Sequence, residues 1–136
     1  MELSLGEFVR FLILLMQRND VKFSFLSLRP WHLLFYRLKK MPETEGKPKF
    51  FENLSFNWDG AYPESPELSG FLSALCWIGC IITVSPEFKE YKLSEGVERI
   101  WLERLEPLGG EANQFLNKAL LFAREEFRDF NRSSAK

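Results

Sequence analysis

The chain has 136 residues, enough for one domain with its own hydrophobic core. Hydrophobic residues make up 46% of it and charged residues 27%, as is typical of a globular protein. The longest apolar run, residues 11–16, is far shorter than the roughly 18 residues that a membrane span needs, so no span is predicted. Glu2 and Glu7 precede this run, where a secretion signal carries positive charge, and this favours a cytoplasmic location.

The charges are distributed unevenly, although the formal net charge is only -1. Residues 1–50 contain nine Lys or Arg and five Asp or Glu, while residues 51–88 contain five Asp or Glu and no Lys or Arg. Residues 89–136 contain nine of each sign. Because opposed charged patches steer association, the basic and acidic parts favour pairing within a homodimer or with a protein partner.

Two helices are predicted in the N-terminal third. Residues 5–17 place apolar side chains at helical spacing, and Ser4 with Glu7 forms a capping-box pattern. Residues 21–25 alternate in character, and we expect an extended connector rather than a strand. A second helix begins after Ser27, the expected N-cap, with Pro30 in its first turn, and ends before Pro42. Its apolar positions are Trp31, Leu34, Phe35 and Leu38.

The middle of the chain indicates a helix followed by a hairpin. Residues 50–58 mix aromatic side chains with Asn, and either a short strand or an irregular turn fits them. Ser65 is the expected N-cap of a helix that has Pro66 in its first position and ends at Gly79. Residues 81–84 and 88–93 then read as two strands joined by a short Ser-Pro-Glu connection.

Two further helices follow the hairpin. Ser94 is the expected N-cap of the first, and residues 112–130 form the last, which we expect to pack back over the domain. Residues 131–136 should fray. This order predicts an α+β, mostly helical fold: a winged helix-turn-helix-like single domain over residues 1–136, with one small β-hairpin and a C-terminal helix.

Three short segments resemble the YwgA-like and Panacea (SocA-like antitoxin) group of winged-helix-like proteins. They are residues 33–36 (LLFY) in the second helix, residues 60–65 (GAYPES) at the turn, and residues 91–96 (YKLSEG) at the end of the wing. The match covers roughly residues 29–100, and it departs where Ala61 stands in place of the family's Pro. The resemblance implies a winged-helix-like domain of the kind found in antitoxin and phage-associated proteins, and no enzyme.

Residue types that carry catalysis or metal binding are sparse. His32 is the only histidine, which argues against a His-rich metal site and favours a helix-surface or hydrogen-bonded role. Cys76 and Cys80 lie four residues apart without the second Cys/His pair of a zinc site, so we expect reduced, buried thiols. No Gly-rich phosphate-binding pattern occurs. We therefore predict no catalytic residues, no metal site and no cofactor.

DNA binding is one hypothesis for a winged helix, because the second helix of the helix-turn-helix enters the major groove. Residues 66–79, which would be this helix, contain no Lys or Arg, although Lys and Arg supply most of the affinity for phosphates. The sequence therefore disfavours nucleic acid as the partner. The residues that such a regulator would use are Ser65, Ser69, Ser73, Lys89 and Lys92.

The alternative that we favour is a non-enzymatic cytoplasmic protein-interaction module, antitoxin-like or accessory. Its partner would be another protein or a second copy of the chain. The basic face of the second helix contributes Arg29, Arg37 and Lys40, and the aromatic anchors are Trp58 and Tyr62. A DNA-binding transcriptional regulator of the winged-helix type is the second hypothesis.

Overall fold

Six α-helices and one two-stranded sheet form in the residues that the computed structural model describes, namely 2–42, 46–77, 81–84 and 90–134. The helices are α1 (Leu5–Arg18), α2 (Arg29–Lys40), α3 (Pro66–Trp77), α4 (Glu95–Leu105), α5 (Gly110–Glu126) and α6 (Arg128–Ser134). The strands are β1 (Ile81–Val84) and β2 (Glu90–Leu93), and a short 3-10 helix covers Lys49–Asn53.

This architecture confirms the α+β, mostly helical class with one small hairpin. Residues 41–65 lie between α2 and α3, whereas a helix-turn-helix has a short turn there. The winged-helix arrangement itself stays a prediction.

Helix α1 is the centre of the fold. The predicted capping box is confirmed: Ser4 Oγ accepts from the Glu7 amide at 3.2 Å, and Glu7 Oε1 accepts from the Ser4 amide at 3.1 Å. The helix is in contact with α4, α5 and β2, so it is buried around most of its circumference rather than on one face. Its buried side chains are Phe8, Val9, Phe11, Leu12, Ile13, Leu14 and Met16.

Aromatic rings join the helices and connectors in the core. The Phe8 ring of α1 lies 5.5–5.8 Å, between centroids, from four other rings. These rings belong to Phe35, Phe50, Phe51 and Phe115. Pairs at these distances add about 0.5–1.5 kcal/mol each beyond their area burial. These phenylalanines therefore hold α2, α5 and the 3-10 helix against α1.

The hairpin and the preceding connector lie side by side. Strands β1 and β2 pair antiparallel, with Ile81 opposite Leu93 and Val84 opposite Glu90. The Tyr91 amide donates to the Phe23 carbonyl at 3.1 Å, a single bridge, so residues 21–25 are the predicted connector and not a strand. Gly79, Cys80 and the 85–89 connection lie outside the described residues.

Helix α2 begins one residue later than predicted. Its N-cap is Leu28, while the Ser27 hydroxyl accepts from the Arg29 amide at 3.4 Å. The prediction of Ser27 as the N-cap was therefore wrong by one position. For residues 50–58, the sequence left a strand or an irregular turn open. The chain forms the 3-10 helix as far as Asn53, with Phe51 buried, and continues as an irregular segment in which Asn57 makes an isolated bridge with Glu64.

The C-terminal part also differs from prediction. The single helix expected over residues 112–130 is divided, because α5 ends at Glu126 and α6 begins at Arg128. Between them Phe127 is buried, with its ring 5.1 Å from that of Trp31. Asn131, expected to fray, is held by its side-chain amide: Oδ1 accepts from the Lys22 amide at 2.9 Å, and Nδ2 donates to the Lys22 carbonyl at 3.0 Å.

Candidate interaction site

A closed loop between residues 57 and 64 presents an exposed tryptophan. The Asn57 amide donates to the Glu64 carbonyl at 2.8 Å, and the Glu64 amide donates back to the Asn57 carbonyl at 2.9 Å. Inside this closure Asn57 Oδ1 accepts from the Asp59 amide at 2.8 Å, the hydrogen bond of an Asx turn. The loop therefore has a defined shape, and 60% of the surface of Trp58 is exposed to solvent.

Trp58 lies edge-on against α2. Its ring centroid is 5.3 Å from that of Tyr36 at an interplanar angle of 87°, and Phe56 contacts the same Tyr36 ring at 5.3 Å and 74°. The Lys40 ammonium lies 5.3 Å from the Tyr36 centroid, within the range of a cation-π contact. We call Tyr36, Lys40, Phe56 and Trp58 the Trp58 patch.

His32 joins α2 to the start of α3. It is fully buried; Nδ1 accepts from the Ser65 amide at 3.0 Å, and Nε2 lies 3.0 Å from the Ser69 hydroxyl oxygen. In a neutral ring with Nδ1 accepting, Nε2 carries the proton and donates to Ser69. His32 therefore cannot take a proton from Ser69, and the geometry is that of a structural link rather than a catalytic base.

Burial lowers the pKa of His32 below its ordinary value, and the nearby Glu64 carboxylate opposes this shift only partly. The ring is accordingly favoured in its neutral form, which is the form that accepts the Ser65 amide. Ser65 is itself buried, and its hydroxyl accepts from the Leu68 amide at 3.3 Å, so it is the predicted N-cap of α3. The half-buried Tyr62 ring packs on the His32 ring, with 5.6 Å between the two ring centroids.

The site has an acidic and a basic end. His32, Tyr36 and Lys40 are spaced by four residues and share one face of α2. Glu64 lies at one end of this row, because the amide of the next residue, Ser65, donates to His32, and Lys40 stands at the other end. At 1.5 Å per residue, the two ends are about 12 Å apart along the helix axis, with Trp58 between them.

The structure brings together only part of the predicted partner-binding set. Trp58 and Lys40 lie in the Trp58 patch, and Tyr62 is beside it through His32. Arg29 is exposed at the other end of α2. Arg37 is used within the chain: its guanidinium donates to Glu125 at 2.8 Å and to Glu126 at 3.0 Å, and it lies 4.2 Å from the Phe122 ring centroid.

The DNA-binding alternative named three serines at or on α3 and two lysines of the hairpin region. Ser65 is buried, and Ser69 is half-buried against His32. Ser73 and Lys92 are exposed on α3 and β2, and Lys89 lies outside the described residues. Helix α3 from Pro66 to Trp77 carries no cationic residue. The exposed members of this set in the described part of the chain are therefore Ser73 and Lys92.

Sequence reasoning missed Tyr36, Phe56 and Glu64 as members of the site. A signal for Tyr36 was present, because it precedes Lys40 by four residues and both then lie on one helix face. No local pattern indicated that the 57–64 loop closes onto that face.

Two further observations concern the described residues only. No helix among them combines the length and the apolar composition needed to cross a membrane. Nor does any group of three His, Cys, Asp or Glu residues there gather as ligands for a metal ion.

Comparisons with protein-family models, curated proteins and solved structures found no match for this chain. The resemblance to the YwgA-like and Panacea group thus stays a prediction.

Proposed function

We propose that this protein is a non-enzymatic, cytoplasmic protein-interaction module that associates through the Trp58 patch. The observation that carries the proposal is the exposure of Trp58, 60%, on a loop whose shape is fixed by reciprocal backbone hydrogen bonds. A large aromatic side chain held rigidly in solvent is the usual anchor of a protein interface, because its burial releases much apolar surface at little cost in conformational entropy.

The charges around the anchor favour a second copy of the chain as the partner. Glu64 lies towards one end of the row on α2 and Lys40 at the other, with Trp58 between them. A two-fold axis through Trp58 reverses the direction of this row in the partner. Lys40 of each copy then faces Glu64 of the other, so the surface is self-complementary, as an isologous dimer requires.

The antitoxin-like or accessory role rests on the resemblance of residues 29–100 to the YwgA-like and Panacea group. The non-enzymatic character rests on the sequence, whose one histidine, His32, uses both ring nitrogens in contacts with Ser65 and Ser69. For the alternative, a DNA-binding regulator, the described residues offer Ser73 and Lys92 as exposed members of the expected contact set. Phosphate contacts by Lys and Arg dominate affinity for DNA, and α3 supplies none.

Sedimentation equilibrium of the full chain and of the Trp58→Ala variant tests the proposal. We expect the wild-type protein to dimerise. We also expect the variant to associate about 30-fold or more weakly, since removing an interface hot spot costs about 2 kcal/mol or more. Ile100→Ala is the matched control, because Ile100 is 51% exposed on α4 and its loss should leave the dimer constant unchanged.

Three outcomes would contradict the proposal. A strictly monomeric wild-type protein would exclude a second copy as the partner. Equal weakening by Trp58→Ala and Ile100→Ala would show that the Trp58 patch is not the interface. Micromolar binding to random duplex DNA at low salt, with a steep dependence on salt concentration, would favour the DNA-binding regulator instead.

A further inference from the structure

A second surface, on the side of α1 that faces α3 and α4, holds an arginine between two aromatic rings. The Arg10 guanidinium carbon lies 5.6 Å from the Phe71 ring centroid and 6.0 Å from that of Trp101. Gly6 makes room for this arrangement, because a Cβ at Gly6 would lie 3.1 Å from the Phe71 ring. The guanidinium is thus held by two rings that come from different helices.

Arg10 is half-buried, yet it has no hydrogen bond or ion pair with any residue that the structure describes. The described residues contain no buried side-chain nitrogen or oxygen without a partner. The unpaired nitrogens of Arg10 must therefore lie where solvent or a ligand can reach them. A guanidinium that no carboxylate of the described residues pairs with is available to form charge-assisted hydrogen bonds to an anion.

Arg10 lines a cleft of about 460 Å³. This volume falls within the range of about 300–1,000 Å³ that small-molecule sites occupy. Most of the lining is apolar and comes from α1, α4 and the residues on either side of them. The apolar lining residues are Leu3, Phe11, Trp101, Pro107 and Leu108. A ligand for this cleft therefore needs an apolar body as well as an anionic group.

The other charges of the lining favour a ligand with one negative charge over a dianion. Glu7, Glu103 and Arg104 line the cleft together with Arg10, so the formal charges cancel. Glu7 already accepts from the Ser4 amide in the capping box. A dianion such as a phosphate monoester would meet two carboxylates here, whereas a monocarboxylate matches the planar fork of one guanidinium.

We propose that this cleft binds an organic monocarboxylate with an aromatic or branched apolar body. The carboxylate pairs with Arg10, and the apolar body packs on Phe11 and Trp101. This site is separate from the Trp58 patch, so it holds whether or not the chain dimerises.

A titration of the ¹⁵N-labelled full chain with 3-phenylpropionate, followed by NMR, tests the proposal, and 3-phenylpropionamide is the neutral control. The reporters are the Trp101 indole N–H, the Arg10 Nε–H and the Gly6 amide. A ligand of this size should bind in about the millimolar range. The carboxylate should bind about tenfold or more tightly than the amide, the effect of one charge-assisted hydrogen bond. No shifts at these reporters, or equal affinities for acid and amide, would overturn the proposal.

Variants at Arg10 separate charge from geometry. Arg10→Gln should bind the acid and the amide equally, while Arg10→Lys should keep part of the preference, because an ammonium keeps the charge but lacks the fork. The matched control Arg29→Gln removes an exposed arginine elsewhere and should behave as wild type. An Arg10→Gln variant that still prefers the acid would contradict the assignment. The comparison of acid with amide on the wild-type chain stands even if a variant fails to fold.

Discussion

Acidification should weaken the link between α2 and α3, because His32 must stay neutral to accept the Ser65 amide. Its Nδ1 is 3.0 Å from that amide nitrogen, and the ring is fully buried. A proton on Nδ1 would turn the acceptor into a second donor and leave two N–H groups facing each other. The folded protein therefore binds this proton less readily than the unfolded chain does.

The pH range over which stability changes follows from the direction of the pKa shift. Burial lowers the pKa of His32 in the folded state below the ordinary value of 6.5, with Glu64 opposing. The contribution of His32 to the free energy of unfolding is fully present above pH 6.5. It decreases as pH falls from there to the folded pKa. The slope for one proton approaches about 1.4 kcal/mol per pH unit.

Urea unfolding of the wild type and of His32→Leu between pH 7.5 and 5.0 measures this contribution. At pH 7.5 the variant should be less stable by about 2–4 kcal/mol, since it loses the bond to Ser69 and leaves the buried Ser65 amide without an acceptor. The wild-type stability should then fall with pH faster than that of the variant, so the difference shrinks. Both chains share all carboxylates, including Glu67, whose pKa is lowered by the Ser55 amide, so the carboxylate contributions cancel.

Parallel stability curves for the two chains would refute this reasoning. So would a pKa of 6.5 or higher for the folded state, read from the ring C–H resonances. These resonances are unambiguous because the sequence has one histidine.

Three further substitutions test how loops and termini are held, and urea unfolding at pH 7.5 measures the stability of each variant. Gly46→Ala should destabilise the fold by about 2–4 kcal/mol, since Gly46 has φ +86° and a Cβ there would lie 2.1 Å from the Glu111 carbonyl oxygen. Gly70→Ala, with open space around an exposed helical site, should instead stabilise by about 0.5–1 kcal/mol, and similar effects at both sites would contradict the packing of Gly46. Asn131→Ala should cost about 1–2 kcal/mol, because it removes both hydrogen bonds to the Lys22 backbone. Unchanged stability would show that α6 is not anchored there.

Elements specified by neighbouring residues were predictable from the sequence. The capping box at Ser4 and Glu7, the Ser65 cap followed by Pro66, and the hairpin all depend on residues a few positions apart. Ser27 is the exception, because the N-cap of α2 is Leu28, which makes no side-chain capping hydrogen bond. A single good capping residue is therefore a guide to a helix start and not a guarantee of it.

Features set by distant contacts were not predictable. The break between α5 and α6 coincides with the burial of Phe127 against Trp31, which no local pattern encodes. Asn131 looked like a frayed end, yet it bonds to Lys22, 109 positions away. Helix propensity and periodicity describe one segment at a time, so they could not identify these distant partners.

In the candidate site, too, the sequence identified some residues correctly, while the role of others depends on distant contacts. Trp58 and Lys40 were named from residue type alone, and both lie in the Trp58 patch. Arg37 was named for the same reason, but its guanidinium pairs with Glu125 and Glu126 of α5. Residue type indicates what a side chain can bind, while only the fold shows which charges are already paired.

In the dimer that we propose, Lys40 of one copy faces Glu64 of the other across Trp58. Native mass spectrometry of Lys40→Glu and Glu64→Lys, one of them ¹⁵N-labelled, tests it most directly. Each variant alone should be monomeric at concentrations where the wild type is dimeric, because like charges then face each other. An equimolar mixture should restore dimers that contain one labelled and one unlabelled chain. Single variants that dimerise like the wild type, or a mixture that stays monomeric, would contradict this arrangement.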